Sequence, residues 1–173
     1  MQVKRRPLVY LGILLLVVVS AYLFYNNFIV TKPSEEGVYK GNLLLDEIIP
    51  SVDGVGSVSF SSFRNKVLVI DFMAPWCEPC KFQIPILKEV ESIDGVEVVS
   101  INIDPKYDMG YLNEFKAEEE IEWFFGHSPS TALKFEINAI PTILVVDRNG
   151  IIVYRDYFTT INDFERILTD LIK

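Results

Sequence analysis

Asp71-Phe72-Met73-Ala74-Pro75-Trp76-Cys77-Glu78-Pro79-Cys80-Lys81 holds the only two cysteines of the chain, directly behind an apolar run, Val67-Leu68-Val69-Ile70. A short apolar run of this kind reads as a buried strand, and the cysteines then fall where the chain leaves it. A helix that begins around Cys77 sets the first sulfur among unpaired backbone N–H groups at the positive end of the helix dipole, which stabilises a thiolate. Cys77 is the expected nucleophile. Pro79 falls in the first turn, where its missing N–H costs nothing. Cys80 lies about one turn along, near enough to close a disulfide with Cys77.

Half of a zinc site is the other reading of such a pair. Four-coordinate zinc needs further Cys or His ligands, and the sequence offers no third Cys and a single His, His127. Two inert thiols would have no need to flank Glu78-Pro79.

The wider pattern resembles the thioredoxin superfamily. It joins Trp76 and Lys81 around the cysteines, Asp71 six residues before Cys77, Pro85 five after Cys80, and Ile140-Pro141-Thr142 far downstream. The resemblance implies that Pro141 packs against the C-x-x-C in the cis form.

Around this centre the chain reads as an anchor, a linker and a domain. Lys4, Arg5 and Arg6 precede an uncharged stretch that runs from Pro7 to Thr31. About 20 apolar residues in a helix cross a hydrocarbon core of about 30 Å, so residues 1–30 are expected to be a transmembrane anchor. Basic residues before the span, and Glu35 and Glu36 after it, set the N-terminus in the cytoplasm and the remainder outside. A cleaved signal peptide, with Val19-Ser20-Ala21 as its cleavage site, is the alternative. Residues 31–42 mix Pro, Gly, Ser and charges without periodicity and read as a linker, with the domain over 43–173.

All 24 acidic residues but only 13 of the 16 basic ones lie beyond residue 31, a net charge of −11, which argues against nucleic acid and anionic lipid surfaces as partners. An exported protein often uses cysteines as staples; here both belong to one C-x-x-C, which makes them working residues.

Leu43–Ile49 and Val55–Phe60 flank a turn and suggest a hairpin, followed by a strand over Val67–Met73. Phe82, Ile86, Val90 and Ile93, widened by Leu87, predict a core-facing helix that Pro85 kinks. Val96–Ile103 reads as a strand buried on both faces, so that strand, helix and strand make a parallel right-handed unit. The spacing predicts a helix over Met109–Glu119, a strand over Ile121–Phe125, and a helix capped by Ser128 with Pro129 at its first position. Asn149-Gly150 between apolar runs signals an antiparallel hairpin, and Thr160 with Asp163 opens a last helix. The expected fold class is α/β. It is a thioredoxin fold, a central mixed sheet flanked by helices, with an N-terminal hairpin and a central insertion.

The anchor, hairpin, insertion and Cys-Glu-Pro-Cys together resemble the TlpA/ResA type of extracytoplasmic thioredoxin-like protein over residues 43–173. That resemblance implies a thiol-disulfide oxidoreductase reducing exported proteins, re-reduced by an upstream thiol donor such as a transmembrane carrier. In such chemistry Cys77 attacks a substrate disulfide and Cys80 resolves the mixed disulfide; no cofactor and no metal is required. Asp71, if buried, becomes a general base for Cys80, the alternative being a structural pair with a nearby Lys. Glu78 beside Cys77 disfavours its thiolate, which tilts the pair toward a reductant and away from a disulfide-forming oxidant. Trp76, Glu78, Pro79, Ile140 and Pro141 are the expected substrate-binding residues, with Trp76 and Ile140 as an apolar rim and core packing as the alternative for Trp76. Copper delivery using His127 is the remaining alternative, although the copper carriers that combine two cysteines with a distant histidine resemble a C-x-x-x-C spacing.

Overall fold

The computed structural model describes residues 6–28 and 35–173, with side chains over 10–23 and from 35 onward. They fall into two compact units divided between Pro33 and Ser34. The first is helix α1, Arg6–Phe28, whose first turn has no acidic residue and whose last turn has no basic one. Side chains of α1 are described over fourteen positions, all exposed, and among the described residues no helix is long and apolar enough to cross a membrane. The expected linker residues 31–34, and the flanks of the expected span, lie outside the described residues.

The second unit opens with four short strands: β1 (Glu36–Gly37), β2 (Leu43–Leu44), β3 (Ile48–Pro50) and β4 (Ser57–Ser59). A 3₁₀ turn at Phe60–Phe63 leads into β5 (Val67–Met73), followed by α2 (Glu78–Glu91), β6 (Val96–Asn102), α3 (Met109–Glu118) and β7 (Phe124–His127). The chain ends with α4 (Ser130–Lys134), β8 (Thr142–Val146), β9 (Ile152–Asp156) and α5 (Ile161–Leu168). One five-stranded sheet has the order β7-β6-β5-β8-β9. β7, β6 and β5 are parallel, β8 pairs antiparallel with β5, and β9 pairs antiparallel with β8. This is the thioredoxin fold, with α3 in the central insertion and the β3–β4 hairpin ahead of it.

Strand β5 is the axis of the core. All seven of its residues are buried, and they alternate between two layers. Val67, Val69 and Met73 pack with Cys77, Cys80, Leu87, Leu112, Phe115 and Phe164, under α2, α3 and α5. Leu68, Ile70 and Phe72 pack with Val38, Leu44, Ile49, Phe60 and Phe135, under the N-terminal segment and α4. Each large apolar side chain buried this way contributes about 1.5–3 kcal/mol relative to exposure.

Four expectations are corrected. The described part of the stretch read as a linker is attached to the domain: Val38 is buried, β1 pairs with β2, and Gly41 N donates to Ile152 O at 2.8 Å. Composition alone misread it, because its fixing partner, β9, lies far along the sequence. Phe82 is 67% exposed instead of facing the core. With the helix phased by Cys80, Ile84, Leu87 and Val90, all buried, a residue two positions from Cys80 points the other way. The strand expected at 121–125 is β7, three residues later. Ser128 is not a helix cap; its N–H still extends the pairing with β6, donating to Asn102 O at 3.1 Å, and α4 starts at Ser130. Helix α2 continues through Pro85, which is exposed.

Residues 41–52 touch both edges of the sheet. Leu43 bridges Ile151 beside β9, while Ser51 bridges Gly126 on β7 and Val52 N donates to Phe125 O at 3.0 Å. Gly126 is required there, since a Cβ would stand 2.3 Å from Ile49 Cγ2 and 2.9 Å from Pro50 O.

Candidate active site

Strand β5 delivers the chain at Met73 into the turn Ala74-Pro75-Trp76, and α2 begins at Glu78. Cys77 is its N-cap, in extended conformation with φ −81° and ψ 104°. Its Sγ accepts the Cys80 backbone N–H at 3.2 Å, while its N–H is held by Ala74 O at 3.0 Å. A sulfur in the capping position stands where the helix offers its unpaired donors, as the sequence indicates. Cys77 and Cys80 form a disulfide with Cα atoms 5.2 Å apart. Cys77 is 3% exposed and Cys80 not at all, so access from solvent is to the first sulfur and is narrow.

Asp71 lies wholly inside the protein on β5, level with Ser100 on β6 and Ile143 on β8. Alternation along β5 gives it the face of Val69 and Met73, the layer that contains both cysteines. Ser100 Oγ donates to its Oδ2 at 2.9 Å, and Trp123 Nε1 donates to Ser100 Oγ at 2.9 Å. Among the described residues Asp71 Oδ1 has no hydrogen-bonding protein partner. Burial pushes its carboxyl up to about 7, the Ser100 hydrogen bond opposing the rise. No lysine pairs with it among the described residues.

The peptide bond from Ile140 to Pro141 is cis. Phe72 is level with Thr142, so Pro141 stands beside Met73, at the point where β5 gives way to the active-site turn. Pro141 is buried, and Ile140 is half-buried against the layer of both cysteines. Trp76 is 57% exposed and so lies outside the core, and its Nε1 donates to Asp104 Oδ2 at 2.6 Å. Glu78 and Pro79 are exposed at the helix start, with Lys81 Nζ 3.9 Å from Glu78. His127, at the end of β7, is half-buried with Nδ1 2.8 Å from Asn102 Nδ2, and among the described residues no group of His, Cys, Asp or Glu could hold a metal ion.

Residues 50–171 match the Redoxin family. The chain belongs to that family. Among curated Redoxin-like relatives it is 26% identical over 157 residues to the thiol-disulfide oxidoreductase ResA of Geobacillus thermodenitrificans, covering 85% of each chain. It is 35% identical over 104 residues to the thioredoxin of Rickettsia prowazekii, covering 56% of this chain and 77% of that one. A crystal structure of a Chlorobium tepidum protein assigned as a thiol:disulfide interchange protein DsbE superposes with a TM-score of 0.67 at 26% identity, covering 79% of this chain and 97% of that one. This member of the Redoxin family is a ResA-like thiol-disulfide oxidoreductase of the thioredoxin superfamily, with its Cys-x-x-Cys pair at disulfide distance.

Four polar residues around the site were not singled out from sequence. Ser100 is the lone hydroxyl in the run Val96–Ile103, and a polar residue amid such a run is the signal that marks it. Asp104 follows the C-terminal end of a parallel strand, where sites of open α/β sheets gather. Gln83 is buried in α2 and grips the backbone of Thr159, accepting its N–H at 2.8 Å and donating to its carbonyl at 2.9 Å. Nothing local marks Gln83 or Trp123.

Proposed function

We propose that this chain is a membrane-anchored reductant that acts outside the cytoplasm on disulfides of exported proteins. The observation that carries the reading is Cys77 Sγ at the N-cap of α2, bonded to Cys80 and in the same layer as a buried, raised Asp71 carboxyl. In the reduced protein Cys77 thiolate attacks a substrate disulfide, and one substrate sulfur leaves with the electron pair. Asp71 takes the proton of Cys80, whose thiolate attacks Cys77 Sγ; the second substrate sulfur leaves and is protonated from water. The protein ends oxidised and the substrate reduced.

Trp76, Pro79, Ile140 and Pro141 support substrate binding as an apolar rim, with an extended segment lying beside Pro141 as an added strand. Glu78 sits directly after Cys77 and weakens thiolate stabilisation, which favours reducing over oxidising work. Lys81 offsets part of this. Re-reduction falls to a thiol donor that reaches the outer face, for which a transmembrane carrier is suited. Lys4, Arg5 and Arg6 ahead of the long apolar run support residues 1–30 as the anchor and set the domain outside.

Trapping tests the reading. Expressed as the full chain in its native host, Cys80→Ser should accumulate mixed disulfides with exported proteins in the membrane fraction. Recovery of the mature protein cleaved near Ala21 and free in solution would overturn the anchor. Trapped partners confined to the cytoplasm would overturn the location.

A further inference from the structure

We propose that Ser100 and Trp123 are positioning residues that commit Oδ2 of Asp71 to accepting a hydrogen bond and thereby assign proton exchange with Cys80 to Oδ1. The inference rests on the reading of Asp71 as the group that takes the Cys80 proton.

Direction is what carries it. An indole N–H donates and never accepts. Trp123 Nε1 is 2.9 Å from Ser100 Oγ, so the serine oxygen receives a proton from that side. The serine's own hydrogen then points to its other near neighbour, Asp71 Oδ2, at 2.9 Å. All three groups are buried, so water does not compete freely to reverse the chain. A proton on Oδ2 would meet the serine hydrogen head-on. The proton of the neutral carboxyl therefore sits on Oδ1, the oxygen that no protein group engages among the described residues.

The surroundings leave this relay as the main polar influence on Asp71. On β6 it faces Ser100, on β8 the level residue is Ile143, and the layer under α2 supplies Cys77 and Cys80. Burial raises its ionisation range and the Ser100 bond lowers it; no charged side chain enters. Lys88, Glu91, Glu120 and Glu122 line a surface cleft together with Trp123.

In the resolving step the S–H bond of Cys80 breaks toward Oδ1, the new S–S bond forms between Cys80 and Cys77, and the Cys77–substrate bond breaks with its electron pair on the departing sulfur. Oδ1 later returns its proton to solvent. Ser100 holds the carboxyl plane throughout and favours the ionised form that accepts.

Two measurements on the purified full chain test this. The infrared C=O band of protonated Asp71, identified by its loss in Asp71→Asn, should shift to higher frequency in Ser100→Ala, because Oδ2 loses its donor. A smaller shift should follow in Trp123→Phe, and Ser100→Thr should restore the band. Single-turnover release of the second aromatic thiol from a chromogenic disulfide, followed against pH, should move its midpoint upward by about one pH unit in Ser100→Ala with the same high-pH plateau, the usual strength of a hydrogen bond to a carboxylate. An unmoved band with Asp71→Asn still slow would overturn the relay while leaving the role of Asp71 intact. Wild-type resolution in Asp71→Asn would overturn that role and the relay with it. Should Ser100→Ala fail to fold, the native band decides: a frequency typical of an unbonded carboxyl C=O overturns the proposal.

Discussion

The indole of Trp76 and the carboxylate of Asp104 meet at 2.6 Å, joining the residue before the first cysteine to the loop beyond β6. Asp104 is itself fixed by Asn102, whose amide donates to Asp104 O at 2.9 Å, and by Lys106 N, which donates to Asp104 Oδ1 at 2.9 Å. The exposed ring is thus held in one orientation beside a nearly closed sulfur. Asp104→Ala should release it and raise KM for a protein disulfide about fivefold, the loss of roughly 1 kcal/mol for a solvent-exposed hydrogen bond. The resolving rate should not change. Stopped-flow kinetics with a folded disulfide substrate, alongside Trp76→Phe, checks the split; a fall in resolution with unchanged KM would contradict it.

The two sulfurs divide the work by position. Cys77 caps the helix and alone has any surface, so Cys77→Ser should remove all reaction with substrate disulfides. Cys80→Ser should still attack and should stall as a stable mixed disulfide. Mass spectrometry after mixing with a disulfide substrate distinguishes them, and the reverse pattern would move the nucleophile to Cys80.

Asp71 ties stability to pH with a definite sign. Its carboxyl titrates near 3.8 when unperturbed and at about 7 in the folded protein, so the folded state binds more protons between those values. Stability of the oxidised protein should fall as pH rises through that window, by about 4 kcal/mol at the full shift, and level off above it. Asp71→Asn should lack this slope. Urea unfolding at pH 4, 5, 6, 7 and 8, values chosen to cover the window, provides the comparison; parallel curves for the two proteins would refute the assignment.

Arg155 anchors the N-terminal segment. Its guanidinium donates to Val38 O at 2.6 Å, to Phe135 O at 2.8 Å and to Glu136 O at 3.1 Å, and lies over the Tyr39 ring. Arg155→Met keeps the stem and strands three carbonyls, so it should cost about 2–3 kcal/mol in a denaturant titration. Beginning the chain at residue 43 should cost a similar amount, because Val38 and the Gly41 pairing go with it. A chain that starts at 43 and is as stable as one that starts at 35 would show that the segment adds nothing.

Much of this architecture was legible because local and long-range signals agreed. Val67–Met73 is apolar at every position but Asp71 and lies buried on both faces; Asn149-Gly150 turns β8 into β9; Thr160 caps α5, accepting Asp163 N at 3.3 Å. The site was legible for the same reason, since a strand, a helix start and two cysteines within eleven residues leave little freedom. What escaped reading depends on partners distant in sequence. Phe82 was misplaced because the helix phase follows Cys80, not the aromatic ring, and residues 35–42 looked like free chain because β9, which fixes them, comes more than a hundred residues later. Ser100 and Trp123 matter only through each other and through Asp71, a relationship no single stretch displays.

The stretch from residue 41 to residue 52 closes both rims of the sheet, and this bears on how the protein is made. An open rim is a template for other chains, and this segment blocks one at β9 and one at β7. It is synthesised early, yet the β9 rim it covers exists only once residues 150–152 have emerged. A nascent chain therefore carries its closing strand with no place to bind until residues 150–152 have followed it. Contacts of such long sequence separation form slowly, so the hazard of aggregation falls on the interval when the sheet has formed and its rims are still bare.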